Sequence, residues 1–336
     1  MLLFKPDYYD RFRCAAGKCP DSCCKEWEVE IDDASARFYR TLPGSLGDRL
    51  REVMRTDDGR TSMTIIDGRC PMWRSDGLCR IQAELGESAL CETCRNFPRL
   101  THDYGDFMEL GLELSCPEAA KLILSASPAP LTAGALPGGT PGYDAEAMAS
   151  LKVSREVMLS ILSDESRSVG EALALGLLYG CQAQSELDGA EASPFDAGAA
   201  LETAAALAKP GNPSDVLDFF LGLELLTPQW EAMLRHPNPG VWTQHHRALA
   251  GYLTQRYWLQ AVSDYDLYGR VKFILISCLL VRLLGGDIFT TAQLYSKEIE
   301  NDMSNVEAIL DAAYASPAFT DDKLLGMLLD RNPVGI

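Results

Sequence analysis

Four sulfurs fall within eleven residues near the start of the chain: Cys14, Cys19, Cys23 and Cys24 in CAAGKCPDSCCKEW. Three more groups follow: Cys70 and Cys79 in CPMWRSDGLC, Cys91 and Cys94 in CETC, and Cys116 in SCPEAA. Nine of the eleven cysteines thus lie between positions 14 and 116. Such thiols bind Zn²⁺ tetrahedrally, hold iron–sulfur clusters or, in an oxidising compartment, form disulfides. Four sulfurs fill one metal site, so Cys14, Cys19, Cys23, Cys24, Cys70, Cys79, Cys94 and Cys116 suffice for two sites, or for one site with thiols to spare. Spacing does not choose between zinc and iron–sulfur. The zinc pattern of two CxxC pairs ~15–20 residues apart is absent, and the CxxC at Cys91–Cys94 has no βαβ unit around it that would make it a redox pair. The CxxxCxxC triplet of radical enzymes is matched only in its first half, with Glu26 in the third place.

Other chemistries find no support. No GxGxxG follows a strand and opens a helix, and Walker, HExxH and GxSxG motifs are missing. The net charge of −18 argues against nucleic acid or an anionic membrane as partner. The opening MLLFKPDYYDRFRC lacks the pattern of a signal peptide. The best apolar run, VKFILISCLLVRLLGG, is interrupted by Lys272 and Arg282, so no membrane span is expected. A cytoplasmic chain with reduced thiols follows, which favours metal over disulfides.

The elements that must position the thiols read as an α+β fold: a small cysteine-rich N-terminal domain at 1–125, with short antiparallel strands and helices around a metal site, then a mostly all-α domain at 144–336. A loop at 7–24 carries the first ligands. Strict alternation in EWEVEI puts Trp27, Val29 and Ile31 on one face of a half-buried strand, with Trp27 packing over the metal site. Helices are expected at ASARFYRTL, capped by Asp32 or Asp33, at SLGDRLREVM, and over 80–92. SMTII, residues 62–66, reads as a strand. In the strand before Cys116, Met108, Leu110, Leu112 and Leu114 face inward while Glu109 and Glu113 share the other face. Pro117 and Glu118 are helix-start signals, placing Cys116 at an N-cap where the dipole favours thiolate. Residues 126–143, rich in proline and glycine, read as a linker or long loop. Helices then fall near 144–164, 168–186, 196–208, 213–226, 241–262, 265–284, 289–300, 304–314 and 319–330, with breaks at prolines that include Pro228. Residues 1–125 carry 17 Lys and Arg against 22 Asp and Glu, a net of −5, and the rest carry 13 against 26, a net of −13. Cys181 and Cys278 read as core thiols, His102 as a solvated turn residue, and His245–His246 as no chelate, since adjacent helical positions do not share a face.

The blocks FRCAAGKCPDSCCKEWEVEID, CPMWRSDGLCRIQAELGESALCETCRNFPR and LELSCPEAAKLIL resemble the flagellin lysine-N-methylase family, within a broader group of cysteine-cluster proteins described as zinc- or iron-chelating. The resemblance covers about residues 8–125. It implies methyl transfer from S-adenosylmethionine to lysine ε-amines of flagellin by an enzyme carrying an iron–sulfur cluster. The cysteines that match the family pattern are Cys14, Cys19, Cys23, Cys24, Cys70, Cys79, Cys94 and Cys116, with Cys91 a bystander and Arg99 and Glu118 helping to build the site or to hold the fold. A [4Fe–4S] cluster held by three thiolates would leave one iron for S-adenosylmethionine, which suits a chain without a Rossmann motif. Glu109 and Glu113 are the candidates to accept the lysine proton; otherwise they form a solvated strand face. The alternatives are a zinc- or iron-chelating protein without catalysis and an iron–sulfur redox or electron-transfer protein.

Overall fold

The computed structural model describes residues 2–24, 29–57, 59–129, 131–135 and 139–330; Trp27 lies outside them. Strands β1 (Leu2–Lys5), β2 (Val29–Ile31), β3 (Met54–Asp57), β4 (Arg60–Met63), β5 (Arg99–Asp103), β6 (Phe107–Leu112) and β7 (Thr132–Ala135) form two sheets. The smaller is antiparallel, in the order β2-β4-β3, and the larger runs β5-β6-β1-β7. The expectation of antiparallel strands holds for the smaller sheet and fails for the larger, where β1 pairs parallel to β6 with Leu3 opposite Met108. That pairing spans more than a hundred residues, so no local pattern announces it. Within the proline- and glycine-rich stretch 126–143, β7 closes the sheet edge against β1.

Asp32, not Asp33, caps α1 (Asp33–Thr41), its carboxylate accepting from Ser35 N. α2 (Gly44–Val53) packs on α1. The helix expected over 80–92 is two short ones, α3 (Arg80–Leu85) and α4 (Glu92–Asn96), because Gly86 takes φ +88° between them. α5 (Pro117–Leu124) starts at Pro117 behind Cys116, as the sequence predicts.

The helical half follows as α6 (Ala145–Ser163), α7 (Val169–Leu187), α8 (Ala197–Leu207), α9 (Pro213–Leu221), α10 (Pro228–Arg235), α11 (Gln244–Tyr257), α12 (Leu267–Leu284), α13 (Ile288–Tyr295), α14 (Met303–Ala315) and α15 (Asp321–Leu329). Asp144, Ser168, Asp196, Asn212, Thr227, Asp266, Asp287 and Asp302 accept backbone N–H bonds at N-caps, which satisfies donors the first turn leaves open. The break read at Pro228 is the first residue of α10, capped by Thr227: proline starts a helix as readily as it ends one.

The described residues bury their apolar side chains in two clusters. The smaller is built from 29–94 and includes Ile31, Tyr39, Leu50, Met72, Cys70 and Cys91. The larger joins Tyr8, Phe12, Phe107, Leu112 and Cys116 to the helices from α6 onward. α12 lies at its centre, apolar on nearly every side. The three cations on α12 are held inside, Arg270 by Asp264 at 2.8 Å. Arg282 donates to the carbonyls of Gly240, Met327 and Asp330 and lies over Trp242 at 4.7 Å, while Lys272 Nζ pairs with Asp321 at 3.1 Å. Among the described residues no helix is long and apolar enough to cross a membrane.

His246, buried on α11, accepts from Thr243 N at Nδ1, 3.1 Å away. Burial, then the Arg282 charge, holds its pKa down to about 3 from an ordinary 6.5. The unfolded chain therefore takes up this proton below pH 6.5 while the folded chain does not, so the stability it contributes is complete above 6.5 and lost as pH falls toward 3. At about 1.4 kcal/mol per pH unit, roughly 2 kcal/mol should go through this group between pH 7 and pH 5. Urea unfolding of His246→Asn should show a pH 7-to-5 loss smaller by that amount; an unchanged difference would contradict it.

Candidate functional site

All eleven cysteines are free thiols. A 3₁₀ turn over Ala16–Lys18 separates Cys14 from Cys19, and Cys14 Sγ accepts from Ala16 N at 3.4 Å. Asp21 and Ser22 shape the next turn: Asp21 Oδ1 accepts from Ser22 N at 2.8 Å, and Ser22 Oγ from Cys24 N at 3.1 Å. Cys24 O accepts from Cys70 N at 2.7 Å, which docks the first segment on the CPMW block. Trp73 and Cys79 bridge across a tight turn closed by Gly77 at φ +77°. Cys79, Cys91 and Cys116 each occupy the N-cap of a helix, α3, α4 and α5.

The nine thiols sort into two groups. Cys14 and Cys116 lie within electrostatic reach of each other and of both Cys19 and Cys23. Cys24, Cys70, Cys79, Cys91 and Cys94 are linked likewise in and around the smaller core. The adjacent Cys23 and Cys24 join the groups. Cys24 accepts side-chain hydrogen bonds from Cys23 and Cys70, which lowers its pKa and raises theirs. Cys91 accepts from Cys94 in the same way, so its thiol is pulled down while that of Cys94 is pushed up. Cys91, set aside by the family pattern, thus belongs to the second group as closely as Cys94 does. Burial pushes Cys116 up to about 11 against the N–H groups of Ala119 and Glu118, the reverse of the thiolate expected from the helix start alone: desolvation outweighs the dipole. Among the described residues, no three His, Cys, Asp or Glu side chains converge on a metal-holding point. The donor set is nonetheless all sulfur, grouped and sharing protons between neighbours, which suits a thiophilic metal once the thiols ionise.

The two carboxylates, Glu109 within β6 and Glu113 just past its end at Leu112 rather than in the strand as expected, have different surroundings. Glu109, 3 % exposed, is bound through both oxygens by Arg155 of α6, at 2.8 and 2.6 Å. It faces the interior with Phe107, not solvent. Glu113 accepts from Ser115 Oγ at 3.1 Å, its backbone carbonyl accepts from Cys116 N, and burial raises its pKa. Behind it, Arg256 donates to Tyr252 Oη at 2.6 Å and pairs with Glu300 at 3.3 Å, while Tyr252 also reaches Leu114 N. A cavity between β5, β6 and α11 is lined by Tyr8, His102, Glu109, Tyr252, Gln255 and Arg256. His102 is part of β5, opposite Glu109, with Nε2 buried and unpartnered; it is not the solvated turn residue expected. Arg99 lies over the Phe12 ring at 5.3 Å, and Glu118 pairs with Lys121 at 2.6 Å beside Cys19. Cys278 is buried as expected, while Cys181 faces outward on α7. His245 Nδ1 bonds Leu124 O at 2.7 Å, away from His246.

Arg155, Arg256, Gln293 and Lys297, which reach this region from the helical half, belong to no motif that would single them out. Gln293 Nε2 donates to Asp21 Oδ2 at 3.0 Å and to Ser115 O at 2.8 Å, and Lys297 Nζ pairs with Asp21 at 3.0 Å.

No family model matches the chain, and no solved structure does. Among curated proteins it is 32% identical over 132 residues to the lysine-N-methylase of Salmonella typhimurium, 37% of this chain and 33% of that protein. The match to the lysine-N-methylase of Salmonella choleraesuis is 31% over 135 residues, again 33% of that protein. The chain thus matches about a third of the length of these two relatives. The flagellar biosynthetic protein FliU of Salmonella muenchen is 31% identical over 132 residues, 78% of its own length. On that coverage, together with the four cysteine blocks in order, the chain belongs to the flagellin lysine-N-methylase family.

Proposed function

We propose that the protein transfers a methyl group from S-adenosylmethionine to the ε-amine of lysines on a flagellin-like protein, in the cytoplasm, with thiol-bound metal. The observation that carries this reading is the match to proteins named lysine-N-methylase. The grouping of the thiols supports two metal sites of different kinds. Cys14, Cys19, Cys23 and Cys116, of which Cys14 and Cys23 are exposed, would hold the reactive centre. Four of the five thiols Cys24, Cys70, Cys79, Cys91 and Cys94, of which Cys70 and Cys91 are in the small core and the others packed against it, would hold structural Zn²⁺. Held by three of the four thiolates of the first group, a [4Fe–4S] cluster would supply an open iron for the amino and carboxylate groups of S-adenosylmethionine.

The methyl transfer itself is polar. The amine nitrogen forms a bond to the methyl carbon as the sulfur–methyl bond breaks, and the amine loses a proton. Of the two carboxylates, Glu113 is the one we assign to orient the amine and take the proton, because both oxygens of Glu109 are engaged by Arg155. The net charge of −13 beyond residue 125 suits a lysine-rich partner.

Titration of anaerobically purified protein with S-adenosylmethionine, followed by calorimetry and by the absorption spectrum, tests the reading. Binding that also perturbs an iron–sulfur spectrum is expected. A colourless zinc protein that does not bind S-adenosylmethionine would leave a chelating module without catalysis.

A further inference from the structure

We infer that Gln293 and Lys297, on the helical half, are positioning residues for the first thiol group, clasping the Cys19–Cys23 turn against Cys116. The inference rests on the reading of Cys14, Cys19, Cys23 and Cys116 as a metal-holding set. Asp21 lies between Cys19 and Cys23, and Ser115 precedes Cys116. One carboxamide joins the two segments: the two N–H bonds of Gln293 Nε2 go to Asp21 Oδ2 at 3.0 Å and to Ser115 O at 2.8 Å. Lys297 Nζ meets the same Asp21 oxygen at 3.0 Å. Gln293 and Lys297 are both buried. They stand four residues apart, on one helix face, where α13 runs into a single π-helical turn over Ser296–Glu300. Such turns recur at functional sites, and this one is itself anchored, Glu298 by Thr227 Oγ1 at 2.5 Å and Glu300 by Arg256.

The clasp fixes what the thiol segments cannot fix alone. Residues 14–24 hold only a short 3₁₀ turn, whose own hydrogen bonds do not set their distance from Cys116. A rigid helix that ties both segments to one amide sets it. The positive end of Lys297 also offsets the charge that Asp21 adds among thiols that must ionise to bind metal.

The test uses the full-length protein stripped of metal. Each thiol is pulse-labelled with iodoacetamide and its peptide quantified by mass spectrometry, after which Co²⁺ alone is titrated and followed by absorption. Gln293→Leu and Lys297→Met should label Cys19 and Cys23 several-fold faster while Cys79 and Cys94 keep their rates, and Co²⁺ affinity at the first group should fall about 10- to 100-fold. Lys297→Arg should restore most of both. Thr227→Val, which loosens the same turn without touching Asp21, should leave the contrast between the groups as in the wild type. Unchanged labelling of Cys19 and Cys23, an equal rise at Cys79 and Cys94, or the same contrast in Thr227→Val would overturn the inference. If the labelling contrast holds and no Co²⁺ binds even to the wild type, the clasp stands and the metal reading falls. If Co²⁺ binds and no contrast is seen, the clasp falls and the metal reading stands.

Discussion

Arg155→Met is expected to lower the stability of the protein by about 3–5 kcal/mol, because it leaves the Glu109 carboxylate charged and buried without its partner. The side chains of Arg155 and Glu109 are 7 and 5 % exposed, so water cannot stand in for the guanidinium. The pair ties α6 to β6, one of the two inner strands of the larger sheet and the one that leads toward Cys116. Double substitution to Arg155→Met with Glu109→Leu removes both charges and should recover most of the loss, since a buried ion pair contributes little over an apolar pair of similar size. Urea unfolding followed by far-ultraviolet circular dichroism reads both variants. A single-variant cost below about 1 kcal/mol, the range of an exposed pair, would contradict the geometry.

The second large effect falls on the smaller core. On the zinc reading of the second thiol group, binding supplies about 10–16 kcal/mol of apparent free energy, more than a core of this size holds by packing alone. Cys94→Ala, or removal of metal by a strong chelator, should therefore let a protease cut within residues 29–94 while the helices from α6 to α15 stay protected. Cys91→Ala should do the same, in contrast to a bystander thiol, because Cys91 and Cys94 share a proton. Equal protease resistance with and without the thiols would show that the core folds without metal.

The helical half was legible from its residues because its boundaries are written in local chemistry. Asp144, Ser168 and Asp266 cap helices that begin where the sequence predicts, and Glu171 completes a capping box with Ser168. The strand face of Glu109 misled for the opposite reason. A carboxylate among alternating leucines reads as solvent-facing until Arg155, 46 residues on, is brought to it by the packing of α6. β1, β5 and β7 are short and partly exposed, and parallel pairing of β1 with β6 depends on the whole chain between them. The thiols were legible as a set, but their division was not: spacing along the chain does not separate Cys23 from its neighbour Cys24, whereas the fold places them at the junction of two groups. The clasp residues Gln293 and Lys297 carry no motif, and only the fold brings them 272 and 276 residues back to Asp21.

The central claim is lysine methylation, and the mass of the product tests it most directly. Anaerobically purified protein, flagellin and S-adenosylmethionine are incubated together, and intact flagellin is weighed by mass spectrometry, with peptide mapping of the modified positions. The account predicts methyl increments on lysine ε-amines that appear with the wild type and are lost with Cys116→Ala. Unmodified flagellin, from a protein that holds its metal and binds S-adenosylmethionine, would contradict flagellin as the substrate; increments that persist in Cys116→Ala would contradict the assignment of the first thiol group to the reaction.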